Sequence, residues 1–320
     1  MNRRFALIQA LVSLVALAAV VWWATDQKSP HIPTGGDAIA WLIAAIALYV
    51  LATGVRAERW HQILELAGVR AKRVDCYALT TVGYMGNNVL PARAGEALRV
   101  VLLAPRCNAS KRTVISSIVA ERLLDIVALL TIFGVTVYGV LDTAEVLPTN
   151  RPVLVTGIGI LLVLAAAVAI WVLRSHSFFE RVRNWLRPLA DAPRALLAPW
   201  GLVLLAGTFL LWAVEASVYW SVARAIEMDI SMSGALYLVA LTNFVAALPA
   251  APGSLGTFDA AVAWGAQRLG AAGSVALSYV ILIRFVLYVP ITIFGLVVLV
   301  TRYGGWSRLR SATRLEASRA

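Results

Sequence analysis

Hydrophobic residues fall in long runs separated by short polar stretches, and few segments alternate at strand spacing. One run covers Phe5 to Ala24, and others cover 38–55, 113–141, 152–173, 200–224 and 274–300. Each approaches or exceeds the roughly 20 residues that an α-helix needs to cross a hydrocarbon core of about 30 Å. Two further apolar stretches, 75–104 and 235–269, are interrupted in the middle by Gly and Pro. The pattern predicts an all-α polytopic membrane protein with six full crossings and two discontinuous segments.

Composition agrees with the pattern. With 60% hydrophobic residues, 14% charged residues and a mean hydropathy of +0.79, the chain is too apolar for a soluble globular domain. A net charge of +11 would point to nucleic acid in a soluble protein. Here the basic residues lie between apolar runs, where they orient the chain, so no nucleic-acid partner is expected.

The charges also set a topology. Asn2-Arg3-Arg4 keeps the N-terminus in the cytoplasm, and Trp22-Trp23 fits an interfacial belt better than a signal-peptide cleavage site. Loops 25–37, 142–151 and 226–231 are expected outside, and the basic segments 56–73, 105–112 and 174–199 inside. Within 56–73, Trp60, Ile63, Leu64 and Ala67 share a helical face, as do Phe178, Val182, Trp185 and Leu189 in 174–199; both segments read as helices lying on the membrane surface. Segment 75–104 then starts and ends inside, a re-entrant hairpin, and 235–269 must enter from outside for the tail to end inside. The expected organisation is one integral membrane domain, 1–304, with halves 5–141 and 152–301. A basic tail, 305–320, follows it, and both termini are cytoplasmic in a cell (inner or plasma) membrane.

The two interrupted segments look like copies. Leu90-Pro91-Ala92-Arg93-Ala94-Gly95 matches Leu248-Pro249-Ala250-Ala251-Pro252-Gly253, 158 positions downstream, and a four-residue insertion after Gly253 places Arg122 opposite Arg284. Three crossings separate the copies, an odd number, so the prediction is an inverted-topology repeat. Interrupted helices at matching places in two halves point to a binding site near the bilayer midplane, with helix N-termini aimed at anionic groups.

The polar side chains supply the candidate chemistry. Asn87, Asn88, Arg93, Glu96 and Arg99 stand inside the first interrupted segment. A charge at that depth costs roughly 2.5–3.5 kcal/mol, so these groups need partners, water or a function. Pro91 suits the first turn of a new helix, and Gly95 breaks continuity beside it. On such a helix Arg93, Glu96 and Arg99 share one face. Arginine is the bidentate partner of phosphate, and Glu96 would hold an arginine in place while the site is empty. The competing reading is an internal salt-bridge cluster with Glu121, Arg122 and Asp125, which share a face of the 113–141 span. Asn88 could instead cap the Pro91 helix. The second segment contributes Pro249, Pro252, Gly253, Gly256 and Asp259, followed by Arg284, and Glu215 is a further carboxylate at mid-depth.

Glu121 and Asp125 with an arginine between them point to ion pairing more than to a metal pair or a proton relay. Cys76 and Cys107 read as plain thiols, and His31, His61 and His176 form no constellation. No cofactor and no metal is expected, and nothing resembles a nucleotide-binding loop or an activated nucleophile.

The run from Asn87 to Arg99, then Glu121-Arg122-Leu123-Leu124-Asp125, then Leu248-Pro249 through Pro252-Gly253-Ser254-Leu255-Gly256 and Asp259, resembles the lysylphosphatidylglycerol synthase transmembrane (flippase-like) family over residues 5–300. Asp259 stands where that pattern implies Glu. The resemblance implies a stand-alone membrane domain without the soluble aminoacyl-transferase part carried by some members. It also implies an anionic phospholipid or polyprenyl- or lipid-linked substrate, moved between leaflets, and a separate lipid-modifying enzyme as partner. A transporter-like carrier is thus expected rather than an enzyme. The alternative is an integral membrane transferase acting on a lipid phosphate, with Glu121 or Asp125 as base.

Overall fold

The computed structural model describes residues 3–30, 33–90, 93–140, 199–247 and 251–305. Pro91, Pro249, the expected span 152–173, the surface helix 174–199 up to residue 198, and the tail from 306 lie outside them. The described residues form helices, with no strand among them: α1 (Arg3–Thr25), α2 (Gly36–Leu66), α3 (Arg73–Val89), α4 (Ala94–Leu103), α5 (Lys111–Val135, continued as a π-turn Thr136–Val140), α6 (Pro199–Ala225), α7 (Met232–Ala247), a 3₁₀ turn (Pro252–Ser254), α8 (Thr257–Arg268) and α9 (Gly273–Tyr303). Helices α2, α6 and α9 are each long and apolar enough to cross a membrane. At 1.5 Å per residue, the 31-residue α2 and α9 reach about 46 Å.

Local chemistry sets several helix ends. Ser110 opens α5 by accepting a hydrogen bond from the Thr113 amide, 3.1 Å. Gly304 closes α9 in the left-handed conformation, φ 73°. Asp259, at the third position of α8, reaches back to accept from the Gly256 amide at 2.8 Å.

The interrupted segments fold as helical hairpins. Helix α4 packs back along α3 so closely that a Cβ on Gly95 would lie 1.9 Å from the Gly83 carbonyl oxygen, and one on Gly86 would lie 2.7 Å from Gly95 Cα. Glycine at these three positions is what permits the approach. The second hairpin, α7 and α8, packs through side chains instead, with Gly265 facing Leu238 and Leu241.

Both hairpins lean on α9, on opposite halves. Arg302, at the end of α9, donates to Asp75 at the start of α3 (2.9 Å), Gly295 abuts Thr81 and Met85, and Asn88 donates to Thr292 (2.9 Å). Hairpin 1 therefore runs antiparallel to the second half of α9. Hairpin 2 lies on the first half: Gly253 abuts Tyr288, and Asp259 binds Arg284. The two breaks meet beside the middle of α9, where a Cβ on Gly253 would come within 3.3 Å of the Asn88 carbonyl oxygen. Pro290 sits at the same level and leaves one α9 carbonyl without its helical partner.

One expectation is corrected. Segment 56–73 was expected on the membrane surface, but α2 continues unbroken to Leu66, and Arg56 and Arg59 are buried within the bundle. The apolar face is real: Trp60, Ile63 and Leu64 are fully buried. Its partners are protein, however. Trp60 and Leu64 pack with Leu79, Val82 and Leu103 of hairpin 1, and Ile63 with Ala120, Leu124 and Leu204. Amphipathic spacing reports that a face is covered without reporting by what. Here the arginines turn inward because carboxylates on α5 and α6, distant in sequence, are waiting for them.

Candidate functional site

Each hairpin break carries an acid at the third position of its second helix, and each acid meets an arginine on the helix that follows. Helix α4 is capped by Arg93 in a left-handed conformation (φ 52°), which makes Glu96 its third residue. Glu96 lies 3.7 Å from Arg122 Nε. In α8 the third residue is Asp259, and Arg284 grips it with two hydrogen bonds, 2.5 and 2.8 Å. Arg284 Nη1 also donates to the Gly253 carbonyl at 3.3 Å. Arg122 and Arg284 thus each face an acid at the third position of the preceding helix.

Between the breaks lies a cavity of about 340 Å³, within the ~300–1,000 Å³ range of ligand pockets. Hairpin 1 contributes Tyr84, Asn87, Asn88, Leu90, Arg93 and Glu96 to its wall, and hairpin 2 contributes Thr242, Asn243, Ala246, Ala247 and the turn from Ala251 to Ser254 with Phe258. The remaining wall comes from Tyr49 and Arg56 of α2, Arg122 and Asp125 of α5, Trp212, Glu215 and Tyr219 of α6, and Leu287 and Tyr288 of α9. Of the residues singled out by sequence, Asn87, Asn88, Arg93, Glu96, Arg122, Asp125, Glu215, Pro252 and Gly253 therefore share one wall. Gly95, Arg99, Glu121, Gly256, Asp259 and Arg284 stand behind it, as packing and bracing residues.

In the wall and behind it most of the charges are paired. Arg59 donates to Asp125 (2.7 Å) and Thr208 (3.0 Å) and lies 3.8 Å from Glu121. Arg99 donates to Glu121 (2.6 Å) and stacks over Trp60, 3.9 Å from the ring centroid. Arg122 also pairs with Asp125 at 3.4 Å. Arg56 is bonded to Glu215 between the rings of Trp212 and Tyr84. Arginine in place of lysine suits such sites, because one planar fork serves several carboxylate oxygens at once.

The cluster around the cavity thus holds Arg56, Arg59, Arg93, Arg99 and Arg122 against Glu96, Glu121, Asp125 and Glu215, one positive charge in excess. The excess is at Arg93. Among the described residues no carboxylate lies within ion-pair distance of it, and its Nη2 donates instead to the Ala246 carbonyl of α7 at 2.5 Å. That bond ties the break of hairpin 1 to the first helix of hairpin 2. The geometry differs from a single Arg93, Glu96 and Arg99 face: Arg93 caps α4 and points across the cavity, Arg99 points back into α5, and Glu96 lies near Arg122. Asn88 does not cap α4; its amide binds Thr292.

Sequence reading missed Arg56 and Trp212. Arg56 follows an apolar run and opens a basic stretch, the usual mark of a loop; its burial becomes legible only once Glu215 is brought opposite. Among the described residues no group of three histidine, cysteine or acidic side chains converges as a metal site would require. Cys76 and Cys107 are both free thiols.

The description "Lysylphosphatidylglycerol synthase TM region" matches residues 7–295. Curated relatives include the glycosyltransferase AglD of Haloferax volcanii, 26% identical over 81% of this chain, of which the chain spans only 48%. A UPF0104 membrane protein of Methanothermobacter thermautotrophicus is 22% identical over 90% of this chain and 93% of its own length. Another, from Methanocaldococcus jannaschii, is 30% identical over 27% of this chain. No solved structure matches significantly. A match across nearly the whole length, on a helical bundle with three membrane-length helices, means that this chain belongs to the lysylphosphatidylglycerol synthase transmembrane family.

Proposed function

We propose that the protein moves an anionic lipid, or a lipid-linked anionic head group, between leaflets, with the head group passing through the cavity between the hairpin breaks. The observation that carries this reading is Arg93, which alone among the described arginines of the cavity cluster has no carboxylate partner, at the wall of a cavity lined by both breaks. Acyl chains would remain in the bilayer while the phosphate exchanges Ala246 for itself on Arg93. Arg122, held only loosely by Glu96, is the neighbouring partner.

On this reading the two hairpins are re-entrant, enter from opposite sides as inverted copies, and leave both termini in the cytoplasm of the cell membrane. Their contact with opposite halves of α9 supports this arrangement, because α9 is itself long enough to span the bilayer. A separate lipid-modifying enzyme would supply the substrate.

The test is reconstitution. Purified protein in liposomes should equilibrate a labelled anionic lipid across the bilayer without a donor substrate, and Arg93→Ala or Arg122→Ala should abolish the exchange while the protein remains folded. Wild-type liposomes that exchange no faster than empty ones would defeat the carrier reading. The similarity to the glycosyltransferase AglD favours a second reading, a transferase acting on a lipid-linked group. Turnover of the labelled lipid into a new species, in place of exchange, would decide for it.

A further inference from the structure

Three buried donors on residues of the cavity wall have no acceptor: Arg122 Nε, which belongs to the anion pair described above, and two that lie apart from it. Arg56 Nη1 and Trp212 Nε1 are buried and unpartnered, and both residues line the same cavity, Arg56 from α2 and Trp212 from α6. Both residues are almost fully buried, 5% and 4% exposed. They are neighbours, with the guanidinium carbon of Arg56 5.3 Å from the Trp212 ring centroid. Leaving a buried donor unsatisfied costs about 1–3 kcal/mol each, so two side by side in a cavity wall are unusual unless something brings them an oxygen.

The electrostatics say what kind of oxygen. The charge of Arg56 is already met by Glu215. The excess positive charge of the cluster sits on Arg93, which is carried on hairpin 1. One part of the cavity is therefore cationic, and the part formed by Arg56 and Trp212 offers donors without net charge. A second phosphate or carboxylate placed there would face Glu215 with no cation to spare. A hydroxyl, ether or carbonyl oxygen would not. The same wall carries the rings of Tyr49, Tyr84 and Tyr219, flat amphipathic surfaces suited to a hydroxylated group.

We infer that the cavity has two subsites: a phosphate subsite at Arg93 and Arg122, and a neutral oxygen subsite at Arg56 and Trp212 that takes the hydroxylated part of the head group. This inference rests on the anion reading above. It narrows the ligand to a singly charged phosphodiester bearing an uncharged polyol, as against a bare lipid phosphate or a diphosphate.

The experiment uses two lipids of equal charge. Binding of phosphatidylmethanol, a phosphodiester without hydroxyls, and of phosphatidylinositol is measured on the full-length protein in nanodiscs made otherwise of phosphatidylcholine. Wild-type protein is expected to bind phosphatidylinositol about tenfold more tightly. Trp212→Phe, which keeps a ring and loses the N–H, should erase most of that preference, and Arg56→Lys, which keeps the charge beside Glu215 and loses the fork, should do the same. Each variant is first shown to be folded by its unfolding temperature, and the readout is the ratio of the two affinities, which a merely structural loss would not move. Arg93→Ala should weaken both lipids equally. Equal wild-type affinity for the two lipids, or a Trp212→Phe protein that keeps the preference, overturns the neutral subsite and leaves the anion reading standing. Failure of wild-type protein to bind either lipid overturns both.

Discussion

The two hairpins share a plan and differ in how tightly it is executed. Each places an acid one turn into its second helix and an arginine on the next helix. In hairpin 2, Asp259 is buried, receives two bonds from Arg284 and a third from the Gly256 amide, and its pair stands behind the cavity wall. In hairpin 1, Glu96 is partly exposed, lies 3.7 Å from Arg122 without a hydrogen bond to its Nε, and both residues line the cavity. A pair that is fully hydrogen-bonded and shielded is a brace. A pair that is loose and wet is available for exchange with another anion. The shorter aspartate at 259 fits the first role, since its carboxylate must serve the backbone amide and the arginine together.

That contrast can be broken most severely at the brace. Arg284→Ala would leave the Asp259 carboxylate without its cation, a loss of about 3–5 kcal/mol. Thermal unfolding in detergent should show it, with Arg122→Ala costing clearly less because Arg122 is partly open to water. If Arg122→Ala destabilises as much as Arg284→Ala, the two pairs are equivalent and the contrast fails.

Next in size is the packing of the hairpins. Gly95→Ala forces a methyl group onto backbone atoms of α3, which cannot swing aside. It should cost at least about 3 kcal/mol, the upper end for overpacking. Gly265→Ala meets only the ends of two leucine side chains, 2.6 and 2.8 Å from the new Cβ, and these can rotate. Its cost should stay near 1 kcal/mol, and a Gly265→Ala protein no more stable than Gly95→Ala would contradict the difference.

A smaller effect is expected at the loose pair itself. Glu96→Gln removes the charge that competes for Arg122, so phosphatidylmethanol should bind about fivefold more tightly, by roughly 1 kcal/mol, with little change in unfolding temperature. Unchanged or weaker binding would mean that Glu96 positions Arg122 and does not compete with the ligand.

The finest test concerns sides. Cys107 lies in the loop after hairpin 1 and Ala272 in the loop after hairpin 2. If the hairpins enter from opposite faces, an impermeant maleimide should reach Cys107 and a Cys introduced by Ala272→Cys from opposite sides of the membrane. Burial, and then the nearby charge of Asp75, push the Cys107 thiol above its ordinary range. Its labelling should therefore be slower than that of free cysteine at neutral pH and accelerate as pH rises, because the thiolate is the reacting form.

Much of this was legible beforehand because it is local. The Gly and Pro interruptions mark both breaks, and the segments that carry the Leu-Pro-Ala match are the ones whose described ends line the cavity. The acids and arginines stand out because charge inside an apolar run is costly. What could not be read is pairing across the chain. Arg56 and Glu215 are 159 residues apart, and Arg59 reaches Thr208 across 149. Nothing near Arg56 distinguishes it from the loop arginines that orient the chain. Likewise the 3.6-residue period places Arg93, Glu96 and Arg99 on one face only if the helix starts at Pro91; it starts at Ala94, and the left-handed cap sends Arg93 another way.

Helix α1 touches the rest of the molecule chiefly at hairpin 2. Its Ser13 hydroxyl accepts a hydrogen bond from the Ala251 amide, 2.6 Å across 238 residues of sequence, and Gly256 presses against the backbone of Ser13 and Leu17. During synthesis α1 is made long before the turn it fastens. Until then the Ser13 hydroxyl has only its own helix to bond, whereas Leu14, Val15 and Trp22 stay exposed even in the finished fold. Docking of α1 is thus a late event in biogenesis, with a loop-closure cost set by most of the chain. That face of hairpin 2 is completed only after residues 251–256 have been translated.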